Sequence, residues 1–259
     1  MFKRDAIPSI DPSLGRSPDP ERGEGEGAGK GRGRRTFSDN GRSPWGRRLK
    51  QKIVAFYEFL GEWMYRVVWV LSYPVVRLFF KLEVKYPERI PREGPIILAA
   101  NHHSHLDPWI LQVAFPRRIT YMVSFAFYKG LGWWFYRMHK AIPLKEKGLN
   151  KEAFVRGLEV LKESGVIAIF PEGWDNGRVE AWHGNPGVAM LSSRSHIPVL
   201  PAKISGTKEV LPKGAIFPRF VKITVTYGEP IPFNGAEKPN KEAMRRMTDL
   251  IMERIKGLS

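Results

Sequence analysis

The run Pro95-Ile96-Ile97-Leu98-Ala99-Ala100 contains no polar side chain. It is followed at once by Asn101-His102-His103-Ser104-His105-Leu106-Asp107-Pro108, and then by Trp109-Ile110-Leu111-Gln112-Val113. A short apolar run bounded by a turn reads as a buried strand, and the stretch after the turn reads as the first turns of a helix. Strand, polar turn and helix together form the building unit of an α/β fold, and such folds place their chemistry on the loops at strand ends. Three histidines and an aspartate crowd into this one turn, so simple capping or surface exposure is a poor account of it.

The rest of the chain repeats the alternation. Strands are expected at Leu82–Lys85, Pro95–Ala100, Thr120–Val123, Val166–Phe170, Val199–Ile204 and Lys222–Tyr227. Helices are expected at Pro108–Ala114, Leu131–Met138, Lys151–Glu163, Gly187–Ser193 and Lys241–Ile255. This order predicts an α/β fold with a mostly parallel central sheet and helices on both faces, over residues 82–259. No internal repeat is present.

Two segments precede that domain. Residues 1–45 are dominated by Gly, Pro, Ser and charge, with low-complexity runs such as Gly29-Lys30-Gly31-Arg32-Gly33-Arg34-Arg35. They hold too little apolar surface to offset chain entropy, so they read as a disordered basic tail, and they lack the apolar core of a signal peptide. In residues 46–81, Ile53, Phe56, Tyr57, Leu60, Met64, Val67, Val68 and Leu71 recur at helical spacing, and Glu62 to Arg66 is a favourable i,i+4 pair. Pro74 is expected to end this helix and Val75–Lys81 to begin a second. The longest uncharged run, Val67–Val76, is ten residues, half of the roughly 20 that a spanning helix needs. The expectation is an amphipathic pair lying in the interface of an anionic membrane, peripheral and monotopic; packing on the domain core is the alternative.

The chain has no cysteine and a formal net charge of +16. Disulfides, thiol catalysis and thiolate metal sites are excluded. A basic surface attracts anionic lipid, phosphorylated ligands or nucleic acid. Nucleic acid is disfavoured, because no recognition motif accompanies the charge and the aromatics lie in apolar runs.

The His/Asp turn is open to two chemistries. His102 and Asp107 can form a dyad in which the carboxylate orients an imidazole that removes a proton from an attacking hydroxyl. Alternatively, His103, His105 and Asp107 can ligate a metal. That reading resembles the His-x-His-x-Asp-His motif of metallo-β-lactamase-like hydrolases, with Pro108 in place of the last histidine. A second strand end bears on the choice. Val166-Ile167-Ala168-Ile169-Phe170 runs into Pro171-Glu172-Gly173, so Glu172 shares a crevice with His102 if the two strands are parallel neighbours.

Asn101-His102-x-Ser104-x-x-Asp107 followed by Phe170-Pro171-Glu172-Gly173 resembles the PlsC-type glycerolipid acyltransferases, which acylate 1-acylglycerol-3-phosphate. Ala141-Ile142-Pro143-Leu144-Lys145 resembles the family's intervening block, a strand ending in a basic residue. Ile197-Pro198-Val199-Leu200-Pro201 resembles its fourth block, and Gly228-Glu229-Pro230-Ile231 its close. The resemblance covers residues 82–232. It implies that His102 and Asp107 are catalytic, that Asn101, Ser104, Lys145, Phe170, Pro171, Glu172 and Gly173 bind substrate, and that no metal or cofactor is used. The implied donor is an acyl-acyl-carrier-protein or acyl-coenzyme A thioester, the acceptor a lysophospholipid, and the place the cytoplasmic face of the cell membrane. Two departures stand out: Lys145 replaces the usual Arg, and Trp174-Asp175-Asn176 replaces Thr-Arg-Ser. Both leave the chemistry intact and keep another lysolipid headgroup open as acceptor. A metal-dependent hydrolase and a non-catalytic membrane-binding protein remain as rival classes.

Overall fold

A computed structural model describes residues 44–125, 128, 133–145, 150–172, 186–210, 219–233 and 240–259. The expected tail, up to residue 43, and Gly173 of the candidate site lie outside the described residues.

Seven strands form one sheet: β1 (Glu83–Lys85), β2 (Ile96–Ala100), β3 (Ile119–Ser124), β4 (Ile142–Leu144), β5 (Val166–Ile169), β6 (Val199–Ser205) and β7 (Thr224–Tyr227). Their order is β1-β7-β6-β2-β5-β3-β4. Every pairing is parallel except β6 with β7. The helices are α1 (Pro44–Phe79), α2 (Asp107–Ala114), α3 (Trp133–Met138), α4 (Lys151–Lys162), α5 (Gly187–Ser195), α6 (Thr207–Val210) and α7 (Lys241–Gly257). The α/β architecture read from the pattern is the one found. Strand β4 escapes the hydropathy pattern because Pro143 interrupts it; a strand proline is tolerated at a sheet edge, and β4 is the edge.

Alternation along β2 divides the core. Ile96, Leu98 and Ala100 face a cluster that includes Ile110 and Leu111 of α2 and Val76 of α1. Ile97 and Ala99 face Leu161 of α4, Val188 and Leu191 of α5, and Ile251 and Ile255 of α7. All five β2 residues are buried, as a parallel strand covered on both faces requires.

The helix pair expected before the domain is instead one helix, α1, continuous through Pro74. An internal proline costs roughly 3 kcal/mol in an isolated helix. Here Pro74 is exposed, so its ring meets no neighbouring element, while Ser72, Val76 and Phe80, just past the helix, are buried as a stripe on the opposite side. That packing holds the turns on either side of the proline. The expected Glu62–Arg66 pair also gives way. The Glu62 carboxylate is taken by Arg118 just before β3, at 2.6 and 2.7 Å, and by Lys140 at 3.1 Å. One guanidinium nitrogen that reaches both carboxylate oxygens, with Lys140 beside it, outcompetes an exposed i,i+4 partner. Burial alone would raise the Glu62 pKa, but these two cations outweigh it and hold the carboxyl below its ordinary value.

Candidate active site

Strands β2 and β5 are parallel neighbours, with Ala99 opposite Ile169, so the turns that follow them meet at one end of the sheet. The chain runs from β2 to β3 on one side and from β5 to β6 on the other. A ligand crevice forms outside the strand ends at such a reversal.

Asp107 is the first residue of α2, with Pro108 next in the first turn, a position suited to both an acidic residue and a proline. Its carboxylate is fully buried and points back into the turn. Oδ2 accepts from the backbone amides of His103 and Ser104, each at 2.7 Å, and lies 3.0 Å from Nδ1 of His102. Oδ1 accepts from the Thr207 hydroxyl at 2.5 Å. A carboxylate crowded by donors calls for the tautomer in which Nδ1 of His102 carries the proton, and this leaves the lone pair on Nε2. The imidazole stacks on Phe170 at 4.3 Å, and Phe170 in turn stacks parallel to buried Tyr121. The Tyr121 hydroxyl donates to the Pro108 carbonyl at 2.7 Å, tying the aromatic column to the start of α2. Burial holds that phenol well above its ordinary pKa, so it remains a donor.

The structure brings together the residues the sequence pairs at a distance. Glu172 Oε2 accepts from the His102 backbone amide at 3.2 Å, linking the β5 turn to the β2 turn. Pro171 is buried between Phe170 and Glu172. Asn101 and Ser104 sit beneath the turn: Asn101 bonds through its side chain to the backbone of Ile204 on β6, and Ser104 Oγ accepts from the Leu106 amide. Lys145 stands apart from this cluster. It is exposed at the carboxyl end of β4, three strand spacings or roughly 14 Å from β2.

His103 and His105 are exposed while the Asp107 carboxylate turns inward with both oxygens engaged, so the three do not converge as metal ligands. Among the described residues no other His, Asp or Glu cluster offers a metal site. Partial burial pushes the His105 imidazole below its ordinary pKa; nearby His102 adds to the effect and Asp107 opposes it.

Two features were missed in the sequence. One is Thr207, whose signal was Ser205-Gly206-Thr207 at the end of the strand next to β2. The other is an apolar groove of about 380 Å³ lined by Val68 and Ser72 of α1, by His105, Pro108 and Trp109, and by Trp134, Phe135 and Tyr136 of α3. It starts at the His/Asp turn. Trp109 Nε1 donates to Ser72 Oγ at 3.1 Å and ties α1 to α2 along it. Val68, read from sequence as part of an outward face, belongs to this groove.

Comparison with known proteins shows what these features are similar to. Residues 81–205 match the family model described as Acyltransferase. The chain is 26% identical over 184 residues to the 1-acyl-sn-glycerol-3-phosphate acyltransferase of Bacillus subtilis, covering 68% of this chain and 87% of that protein. It is 25% identical over 149 residues to the chloroplastic 1-acyl-sn-glycerol-3-phosphate acyltransferase LPAT1 of Arabidopsis thaliana, covering 53% of this chain and 39% of the relative. Its fold matches the crystal structure of the 1-acyl-sn-glycerophosphate acyltransferase PlsC from Thermotoga maritima. That match has a TM-score of 0.54 at 20% identity and covers 78% of this chain and 89% of the other. The matched segment begins at the strand region β1 and ends at the last residue of β6, so it takes in both turns of the crevice, and over that segment the chain resembles the PlsC-type glycerolipid acyltransferases.

Proposed function

We propose that this protein transfers a fatty acyl group from an acyl thioester to the free hydroxyl of a lysophospholipid, with 1-acylglycerol-3-phosphate as acceptor and phosphatidic acid as product. The observation that carries the reading is the His102–Asp107 dyad, joined to Glu172 and opening on an apolar groove. Nε2 of His102 takes the proton of the attacking hydroxyl as the oxygen adds to the thioester carbonyl. Asp107 holds the imidazole and stabilises the cation that forms. The tetrahedral intermediate then collapses, and the imidazolium gives its proton to the departing thiolate. No covalent enzyme intermediate is required. Glu172 keeps one carboxylate oxygen on the turn and presents the other to a glycerol hydroxyl. The groove between α1 and α3 accommodates an alkyl chain. Lys145 serves an anionic group at the far side of the crevice.

Helix α1 docks this site on a membrane, at the cytoplasmic face. Phe56, Phe59, Trp63, Val70, Leu71 and Leu78 are exposed on the side turned away from the groove. Among the described residues no helix is long and apolar enough to cross a membrane. An apolar outer face on a basic protein suits an anionic interface. A lysolipid with a different headgroup is the second reading; it is favoured by Asp175, which stands where the family carries a basic residue.

The test is a panel of lysolipid acceptors assayed against acyl-carrier-protein and coenzyme A thioesters, following thiol release and product lipid, with His102→Ala as control. Acyl transfer to 1-acylglycerol-3-phosphate that is lost in His102→Ala is the expected result. Transfer only to another lysolipid would move the acceptor, and absence of transfer to every acceptor would overturn the reading.

A further inference from the structure

We infer that Thr207 is a positioning residue for the proposed acyl transfer, its hydroxyl fixing the plane of the Asp107 carboxylate that orients His102. The inference rests on the dyad reading above. The two backbone amides and the imidazole all converge on Oδ2 of Asp107. The terminal torsion of an aspartate, about its Cβ–Cγ bond, is broad, so bonds on one oxygen alone leave the plane of the carboxylate loosely set. The Thr207 hydroxyl removes that freedom by holding Oδ1 at 2.5 Å, within the short range of O–H···O⁻ bonds. Thr207 is buried, so bulk water cannot take its place.

The site of Thr207 is built by the fold. It opens α6 directly after Gly206, whose φ is +92° and whose backbone lies against the Lys222 carbonyl so closely that a Cβ has no room. Three residues earlier, Ile204 is bonded to the Asn101 side chain, which aligns the end of β6 with the turn carrying His102. Threonine is β-branched and stiff at χ1, so this backbone placement also aims the hydroxyl. The chemistry of the donor matters as well. The two amides and the hydroxyl are neutral, so they stabilise the Asp107 anion without cancelling the charge that the imidazolium needs. A lysine or arginine at the same place would cancel it.

The test compares Thr207→Val, Thr207→Ser, Asp107→Asn, the Thr207→Val/Asp107→Asn double variant and His102→Ala in the full chain. The assay uses 1-acylglycerol-3-phosphate and an acyl thioester in mixed micelles. Thr207→Val should lower kcat by about 10- to 100-fold, the size usual for removing the partner of an oriented ligand group, with both KM values within about twofold of wild type. Thr207→Ser, which keeps the hydroxyl, should recover most of the loss. In the Asp107→Asn background Thr207→Val should lower kcat little further, because the charge it positions is already gone. Thr207→Ala carries the same prediction and covers a valine variant that fails to fold. Wild-type kcat in both hydroxyl-free variants, failure of serine to restore turnover, or full additivity with Asp107→Asn would each overturn the inference while His102→Ala remains inactive. Normal turnover of His102→Ala would instead remove the dyad reading, and the role of Thr207 with it.

Discussion

The side-chain amide of Asn101 meets the backbone of Ile204 twice: Nδ2 donates to the carbonyl at 2.8 Å, and Oδ1 accepts from the amide at 2.7 Å. One side chain thus reproduces a rung of the sheet where β2 has already turned away. Asn101→Ala leaves both buried Ile204 groups unpaired. The expected loss is about 2–6 kcal/mol of stability, from about 1–3 kcal/mol for each of the two groups, read as a lower denaturant midpoint. Turnover should fall through kcat. A raised acceptor KM at unchanged stability would instead make Asn101 a substrate contact.

His102→Ala should reduce acyl transfer by about 10²–10⁴-fold, the usual worth of a positioned general base. His103→Ala and His105→Ala, which remove exposed rings, should be much milder. Asp107→Asn keeps an acceptor toward the two amides and can turn its NH₂ to Thr207, whose hydroxyl can also accept. The fold should therefore survive while the charge is lost. Thiol release together with thermal melting checks both halves.

Burial pushes the His139 imidazole from 6.5 down to about 4, against a partly compensating bond from Nδ1 to the Ile119 carbonyl. The folded protein holds this ring neutral while the unfolded chain protonates it near its ordinary value. Stability from this group is complete at pH 7 and falls as pH drops from 6.5 toward 4, by about 3 kcal/mol over the full window. Chemical denaturation should show a steeper loss on acidification in wild type than in His139→Gln; equal slopes would contradict the prediction.

Trp63 and Leu71 are 59% and 62% exposed on the outer face of α1. Replacing both by Glu should release most of the protein from anionic vesicles. High salt should weaken wild-type binding without abolishing it, because headgroup attraction is screened and apolar insertion is not. Cosedimentation with vesicles at two ionic strengths measures this, and alkaline carbonate should extract the bound protein.

Lys145→Ala should raise KM for donor or acceptor more than it lowers kcat, as expected of a charge carried on a strand three places from the one that leads into the dyad. Unchanged constants for both substrates would place Lys145 outside the binding surface.

The parts of the fold legible in the sequence were those carried by local pattern. β2 and β5 are unbroken apolar runs, and α4 and α7 have a clear helical period, so their places could be read directly. His102, Asp107 and Glu172 were legible because each sits immediately after such a strand. Thr207 was not, because its partner lies 100 residues away and no spacing along the chain announces the contact. The continuity of α1 through Pro74 was hidden for a related reason: the local rule for proline is overruled by packing of Ser72, Val76 and Phe80 on a core the sequence does not display. Glu62 chose Arg118 over Arg66 on the same grounds.

Among the described strands, β1 pairs only with β7, and the contact from Thr224 to Glu83 closes a loop of 141 residues. Strand β1 is therefore made early and completed late. At synthesis rates of about 5–20 residues per second, on the order of ten seconds separates the two strands as they leave the ribosome. The connection from Phe80 to Ile223 seats the end of α1 at the same junction, so the helix acquires its full seat only when β7 arrives. During that interval α1 can be held by α2 and by the start of β3, through Ser72 and Glu62, but not yet by Ile223. The order of synthesis thus makes the junction of α1, β1 and β7 the last part of this face to close.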